Sequence, residues 1–183
     1  MNSPFLIGEQ VYLRPLEQAD APVIAPWFND AEVTQFTLRY LPISLRAEEE
    51  FLANLAKSDK DIVLGIALRE TDRLIGATGL HAIDWRNRQT GFGITLGVKE
   101  EWGKGHGTEA TRLIVGYAFD TLNLNRVWLH AYEYNARALH IYERVGFSRE
   151  GILRQETFRH GRYWDTIVMA ILREEYEQQK RAV

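Results

Sequence analysis

Three glycines at alternate positions, Gly103, Gly105 and Gly107, punctuate the stretch WGKGHGTEA just before it turns helical. Glycine loses more backbone entropy on ordering than any other residue, so this density signals unusual backbone angles or a partner that approaches the chain too closely for side chains. Either leaves amide N–H groups free. Thr108 and Glu109 suit a first helical turn, and Ala110, Leu113, Ile114, Tyr117 and Ala118 form one apolar stripe at helical spacing. A glycine-rich loop feeding a helix N-terminus is an anion site, because the free N–H groups and the positive end of the helix dipole point the same way; phosphate is its usual occupant. The same residues also fit a plain tight turn ahead of a helix.

A second constellation lies in NARALHIYERVGF. With Asn135 as a helix cap, Asn135, Ala138 and Tyr142 fall at i, i+3 and i+7 and share one face. A phenol of pKa about 10 is a poor acid toward water but a capable proton donor to a thiolate, whose conjugate acid lies near about 8.5, in a dry site. Tyr142 also suits the core, with its hydroxyl hydrogen-bonded.

Other chemistries are narrowed by what is missing. A Walker loop needs Gly-Lys followed by Ser or Thr, whereas Gly103-Lys104 is followed by Gly105. GHGTEA matches a dinucleotide fingerprint, with Glu133 at a tolerable distance for ribose. That fingerprint opens a run of parallel crossovers, and the chain after Gly107 is short and ends in a hairpin. The chain has no cysteine, which excludes disulfides, zinc–thiolate sites and a cysteine nucleophile. Ser3, Ser44, Ser58 and Ser148 all lack a nucleophile-elbow setting. Transfer chemistry would therefore run directly between substrates.

With 183 residues, 45% of them hydrophobic, one domain spanning 1–183 is expected. A net charge of -3 argues against nucleic acid as the main partner. Residues 1–10 lack the basic and apolar regions of a signal peptide, and no uncharged apolar run is long enough to span a bilayer, so no membrane association and a cytoplasmic location are expected.

The elements that must position these residues follow from periodicity. QVYLRPL reads as a strand, Asp20 as the cap of a helix to about residue 29, and 46–57 as a helix with Phe51, Leu52 and Leu55 on its apolar face. DIVLGIALRE and RLIGATGLHAI form a hairpin about Thr71 and Asp72. TGFGITLGV is a further strand, and RVWLHAYE, without clean alternation, a central strand covered on both faces. A helix over 136–145 ends at Gly146. ILRQETFRHGRYWDTIVMAIL gives two strands joined at His160-Gly161, before a charged tail. The fold class is α/β (α+β), a mixed, partly antiparallel sheet flanked by helices.

The glycine loop and its helix, followed by Asn, a helical Tyr and Gly-Phe, resemble the GNAT family of acetyl-CoA-dependent N-acetyltransferases. RPLEQAD, WFNDAEV, WGKGHGTEA, NARALHIYERVGF and EGILRQETFRHGRYWDTIVMAIL are similar to its RimJ/RimL group and to spermidine N-acetyltransferases. The resemblance implies a sheet splayed between FGITLGV and RVWLHAY with acetyl-CoA in the gap. It further implies that Gly103, Lys104, Gly105, His106, Gly107 and Thr108 hold the pyrophosphate through backbone N–H groups. Leu96, Gly97 and Val98 would form a bulged strand that pairs with the pantetheine, while Asn135, Ala138 and Tyr142 line the thioester side, Tyr142 as general acid. Trp102 departs from the Gln or Arg the family prefers in its loop. The expected partners are acetyl-CoA and an amine acceptor, with no metal; a homodimer is the assembly considered. A CoA-binding sensor without catalysis and a nicotinamide-linked oxidoreductase are the other readings.

An amine that arrives protonated needs a base, and His81, Asp84 and Glu133 lie near strand ends where the sheet should open. Each also fits an ordinary surface role. His140 and Glu143 are helical neighbours with no second pair to complete a metal shell. Asp30, Glu32 and the run Glu48–Glu50 could attract a cationic amine or simply form a solvated face. Trp85, Arg86 and Arg88 border either an acceptor groove or a plain hairpin end.

Overall fold

The computed structural model describes residues 3–55 and 57–182. Its frame is one eight-stranded sheet: β1 (Leu6–Ile7), β2 (Val11–Pro15), β3 (Ile62–Leu68), β4 (Leu74–Asp84), β5 (Gln89–Leu96), β6 (Arg126–Tyr132), β7 (Ser148–Arg159) and β8 (Arg162–Leu172), in the order β1-β2-β3-β4-β5-β6-β8-β7. Every neighbouring pair is antiparallel except β5 and β6. Six helices accompany it among the described residues: α1 (Ala21–Ile24), α2 (Ala31–Thr34), α3 (Leu45–Leu55), α4 (His106–Asp120), α5 (Ala136–Val145) and α6 (Arg173–Ala182). The expected mixed, partly antiparallel α/β sheet is thus found. No helix among the described residues is long and apolar enough to cross a membrane.

The turns follow from their residues. His160 and Gly161 both adopt left-handed φ, 51° and 77°, the geometry that matches the twist of a tight β7–β8 hairpin. Gly146, at φ 110°, ends α5 by donating from its N–H to the carbonyls of Tyr142 and Glu143, while Phe147 N–H also donates to Tyr142.

Four expectations need correction. The helix expected over 20–29 is broken into α1 and the flanking 3-10 turns at Gln18–Asp20 and Trp27–Asn29, because Pro26 interrupts it, and α2 follows as a separate turn. Asp20 does stand at the N-cap of α1, but its side chain makes no cap bond to that helix: it accepts two hydrogen bonds from the Arg14 guanidinium at 2.7 and 2.8 Å and one from Glu17 N–H, the latter in a capping box on the preceding 3-10 turn. β6 does alternate, with Val127, Leu129 and Ala131 buried and His130 exposed, so only one of its faces is fully covered. The charged tail is helix α6, with Glu174 and Glu175 in its first turn and Lys180 and Arg181 in its last, as the dipole favours. The helix expected over 46–57 is observed as Leu45–Leu55; residue 56 lies outside the described residues.

Two features position the site. β5 and β6 pair only over Gln89–Arg126, Thr90–Val127 and Gly91–Trp128, while β5 stays paired with β4 as far as Leu96 and β6 with β8 as far as Tyr132. Past Gly91 the two strands therefore part, and a gap opens in the middle of the sheet. β5 also divides the molecule by side-chain parity. Phe92 and Leu96 meet Tyr142 of α5 and Gly107 of α4, whereas Gly93 and Thr95 face a cavity walled by α1 and α3.

Candidate active site at the sheet gap

The glycine loop leads from Trp102 into α4. Gly103 (φ 82°) and Gly105 (φ 94°) are left-handed, and a Cβ built on either meets no atom within 4 Å. A Cβ on Gly107 would meet only Leu96 Cδ1, at 3.5 Å. The backbone is thus bare and open on one side. Glu109 N–H donates the bond to Gly105 O (3.1 Å), so the N–H groups of His106, Gly107 and Thr108 fall in the first turn, where helices have no internal acceptors. The charged and polar side chains turn away: Lys104 Nζ (3.0 Å) and buried His106 Nε2 (3.2 Å) both contact Glu101 Oε2. The Lys104 hydrogen bond holds the Glu101 carboxyl below its ordinary range. What remains is a cradle of backbone N–H groups at a helix N-terminus, the arrangement that fits a pyrophosphate.

The bulge after β5 is present, since Gly97 N–H (2.9 Å) and Val98 N–H (3.2 Å) both donate to Ile75 O. Gly97 has to be glycine, because a Cβ there would lie 1.9 Å from the Trp27 ring. Trp102 donates from Nε1 to Leu96 O at 2.9 Å, so the departure from the family pattern ties the glycine loop to the end of β5.

On the other side of the gap Asn135 caps α5, its Oδ1 accepting from Ala138 N–H at 3.2 Å. Asn135, Ala138 and Tyr142 are all half-buried, as one shared face requires. The Tyr142 ring packs edge-on against Phe92 (centroids 5.9 Å apart) and Phe147 (5.9 Å), and Phe92 is the first residue of β5 beyond its last pair with β6. Burial pushes the Tyr142 phenol up to about 12.

Of the three possible bases, two are engaged structurally. Asp84 accepts from Asn87 N–H and Nδ2 in the β4–β5 turn, and Glu133 accepts from Asp165 N–H. His81 differs. Its Nδ1 lies 3.5 Å from Asp61 Oδ1, and its ring borders a cavity of about 220 Å³ over Gly79 and Gly93.

Among the other residues singled out, Asp30 and Glu32 both pair with Lys99, ahead of the glycine loop. Glu143 pairs with Arg149, and no group of acidic or histidine side chains suited to a metal occurs among the described residues. Trp85 and Arg88 bond to Asp59 O and to Asn123, away from the cavity, and Arg86 is exposed beside them. The run Glu48–Glu50 splits: Glu50 pairs with Arg46 on the surface, whereas Glu48 is 1% exposed and lines the cavity. Its spacing carried the signal, since Glu48 stands three and four residues before Phe51 and Leu52 on the apolar stripe of α3.

Comparison with known proteins agrees with this geometry. The model of the acetyltransferase (GNAT) domain family matches residues 10–148. The chain is 31% identical over 170 residues to the spermidine N(1)-acetyltransferase of Vibrio cholerae, covering 93% of this chain and 97% of that one. It is 30% identical over 175 residues to the uncharacterized N-acetyltransferase p20 of Bacillus licheniformis, covering 93% and 97%. The crystal structure of the Vibrio cholerae spermidine N-acetyltransferase in complex with CoA and spermine superposes with a TM-score of 0.85 at 30% identity, over 93% of this chain and 99% of that one. The gap in the sheet, the bare glycine loop and the match across most of the chain lead to one conclusion: this protein belongs to the GNAT acetyltransferase family and is an N-acetyltransferase.

Proposed function

We propose that the chain moves an acetyl group from acetyl-CoA directly to a primary amine, drawn from polyamines, protein N-termini and other small amines. The observation that carries the reading is the gap past Gly91, with the open glycine cradle on one side and Tyr142 on the other. Backbone N–H groups from Gly103 to Thr108 would hold the pyrophosphate, with Lys104 and His106 contributing main chain while their side chains brace Glu101. The bulged segment Leu96, Gly97 and Val98 would pair with the pantetheine arm. Acetyl-CoA supplies an activated acyl group, so no protein nucleophile is needed.

His81 takes a proton from the incoming ammonium, with Asp61 orienting its ring through Nδ1. The free amine attacks the acyl carbon, the C–S bond breaks as the C–N bond forms, and Tyr142 gives its proton to the departing thiolate; the second proton lost by the attacking nitrogen restores the phenol, so the products are CoA thiol, the acetylated amine and the one proton held by His81. A phenol raised to about 12 remains protonated until that step, and the same dry surroundings raise the proton affinity of the thiolate that receives the proton. Asn135 and Ala138 shape the same face of α5. The likeness to spermidine N-acetyltransferases supports a polyamine among the acceptors. Exposed Ile152, Phe158 and Tyr163 on the β7–β8 hairpin support association with a second copy.

The test is a panel of diamines, polyamines, monoamines and peptides, incubated with acetyl-CoA while thiol release is followed. Transfer predicts CoA release with an acetylated amine as the partner product. Tight acetyl-CoA binding with no release above hydrolysis for any member would overturn the reading.

A further inference from the structure

The cavity beside His81 holds a side chain that the proposed chemistry does not use. It lies between α1, α3 and the strands β4 and β5, with Gly79 and Gly93 in its floor, His81 at one edge and Glu48 of α3 in its wall. Glu48 is 1% exposed, and its Oε2 is fully buried without a hydrogen-bond partner among the described residues. Burial raises the carboxyl, and the charge of Arg39 opposes that rise. Arg39 is nevertheless no salt-bridge partner; its guanidinium lies over the Phe28 ring, 4.4 Å from the centroid, and 5.9 Å from that of Phe51. Phe28 and Phe51 line the same cavity. The other titratable group there is His81, already directed at Asp61.

A buried carboxylate without a donor destabilises a fold, and a position on the apolar stripe of α3 would be better filled by leucine. The missing partner is chemically specific: a positively charged N–H donor. Aromatic faces that already accept a guanidinium show the same preference for a cation. The volume, about 220 Å³, falls below the usual range for drug-sized ligands, roughly 300–1,000 Å³, and suits a slender chain.

We propose that Glu48 determines acceptor specificity: its carboxylate receives a second cationic nitrogen of the acceptor while the first is delivered to the sheet gap past His81. Diamines and polyamines are then bound in preference to monoamines of equal length. This rests on the transfer reading above for the position of the first nitrogen, but it makes a separate claim about binding.

Two variants and two acceptors test it. Diaminobutane and butylamine are titrated calorimetrically into the full chain, and KM and kcat are measured for both with acetyl-CoA saturating. The wild-type protein is expected to prefer diaminobutane. Glu48→Gln should raise its KM about 30-fold, leave kcat within a few-fold and abolish the preference over butylamine. Glu48→Leu should melt at or above the wild-type temperature while losing diamine binding, which a structural role for Glu48 would not produce. A diamine-to-monoamine ratio within twofold of wild type in Glu48→Gln overturns the proposal, as does a lowered melting temperature in both variants with discrimination intact. Glu48-dependent binding of diaminobutane without acetylation of any amine would leave this inference standing and remove the transfer reading.

Discussion

The imidazole of His81 rests on Gly79: a Cβ on residue 79 would lie 3.0 Å from Nε2 and 3.1 Å from Cε1. Gly93 stands opposite Gly79 in the β4–β5 pair, and a Cβ there would lie 3.4 Å from the same nitrogen. Two glycines in register thus form a shelf for one ring. Gly79→Val should displace the ring and reduce kcat toward the value of His81→Ala, a loss of ~10²- to 10⁴-fold for general base catalysis near neutral pH, and should also lower the melting temperature because its Cβ would lie 2.9 Å from Ile62 O. The deficit should shrink as the pH approaches the amine's own pKa, about 10.4 for an alkylammonium, because the acceptor then arrives deprotonated. A pH-independent deficit in His81→Ala would remove His81 as the base.

Tyr142→Phe keeps the ring contacts with Phe92 and Phe147 and removes only the hydroxyl. Acetyl-CoA affinity should stay within about twofold while kcat falls ~10²- to 10⁴-fold. Because burial pushes the phenol up to about 12, the group stays protonated throughout the working range. Deprotonation of Tyr142 should therefore cause no loss of kcat between pH 7 and about 10. Unchanged turnover in a normally folded variant would send the search for the acid elsewhere.

The glycine loop allows ligand effects to be separated from folding effects. Gly107 has an ordinary helical environment, and its added Cβ would make only normal van der Waals contact with Leu96. Gly107→Val should fold yet weaken acetyl-CoA binding more than tenfold, about 1.4 kcal/mol. Gly105→Val should weaken binding too and also lose ~1–2 kcal/mol of stability, because its φ of 94° is unfavourable for any residue with a Cβ. Calorimetry and thermal melts on the pair check both parts.

Arg14 and Asp20 form a paired contact beneath the first helices, at 2.8 and 2.7 Å, with Arg14 3% exposed. Burial alone would raise the Asp20 carboxyl, but the Arg14 and Glu17 hydrogen bonds hold it below its ordinary value. A lowered folded-state pKa contributes stability that is present above the unfolded value and lost as pH falls through the folded one, so the loss should appear below ~pH 4. Asp20→Asn, which strands the Arg14 charge, should cost about 3 kcal/mol in chemical denaturation. Arg14→Met should cost less, since the remaining Asp20 keeps its Glu17 bond and some exposure to water.

Much of the frame was legible because local chemistry and tertiary structure agree. Gly146, His160-Gly161 and the stripe on α4 each signal a conformation that the fold retains. Strand order was not legible, since nothing local records that β8 inserts between β6 and β7; the parting of β5 and β6 was expected from the family resemblance alone, and its start after Gly91 is written in no local signal. Asp20 misled because a capping residue and an ion-pair partner look alike until Arg14 is seen beside it. Glu48 was hidden in a charged run, where hydropathy outweighs the helical position that places it among apolar neighbours.

One guanidinium nitrogen links two distant parts of the chain: Arg159 Nη2 donates to Thr37 O (2.9 Å) and Arg39 O (2.7 Å), with Thr34 O at 3.4 Å, and Tyr134 Oη donates to nearby Gln35 O. The loop so held carries Arg39 to the cavity while leaving Leu38, Tyr40 and Leu41 exposed, so little apolar burial supports it. Its opening free energy therefore rests on this polar anchor in β7 and on the stacking of Arg39 over Phe28 more than on buried apolar area, which makes it a small cooperative unit of its own. Amide exchange in residues 35–41 should accelerate in Arg159→Ala while β3 and β4 keep their protection. Evolution or engineering could then reshape the mouth of the cavity from the outer hairpin, leaving the glycine loop unaltered.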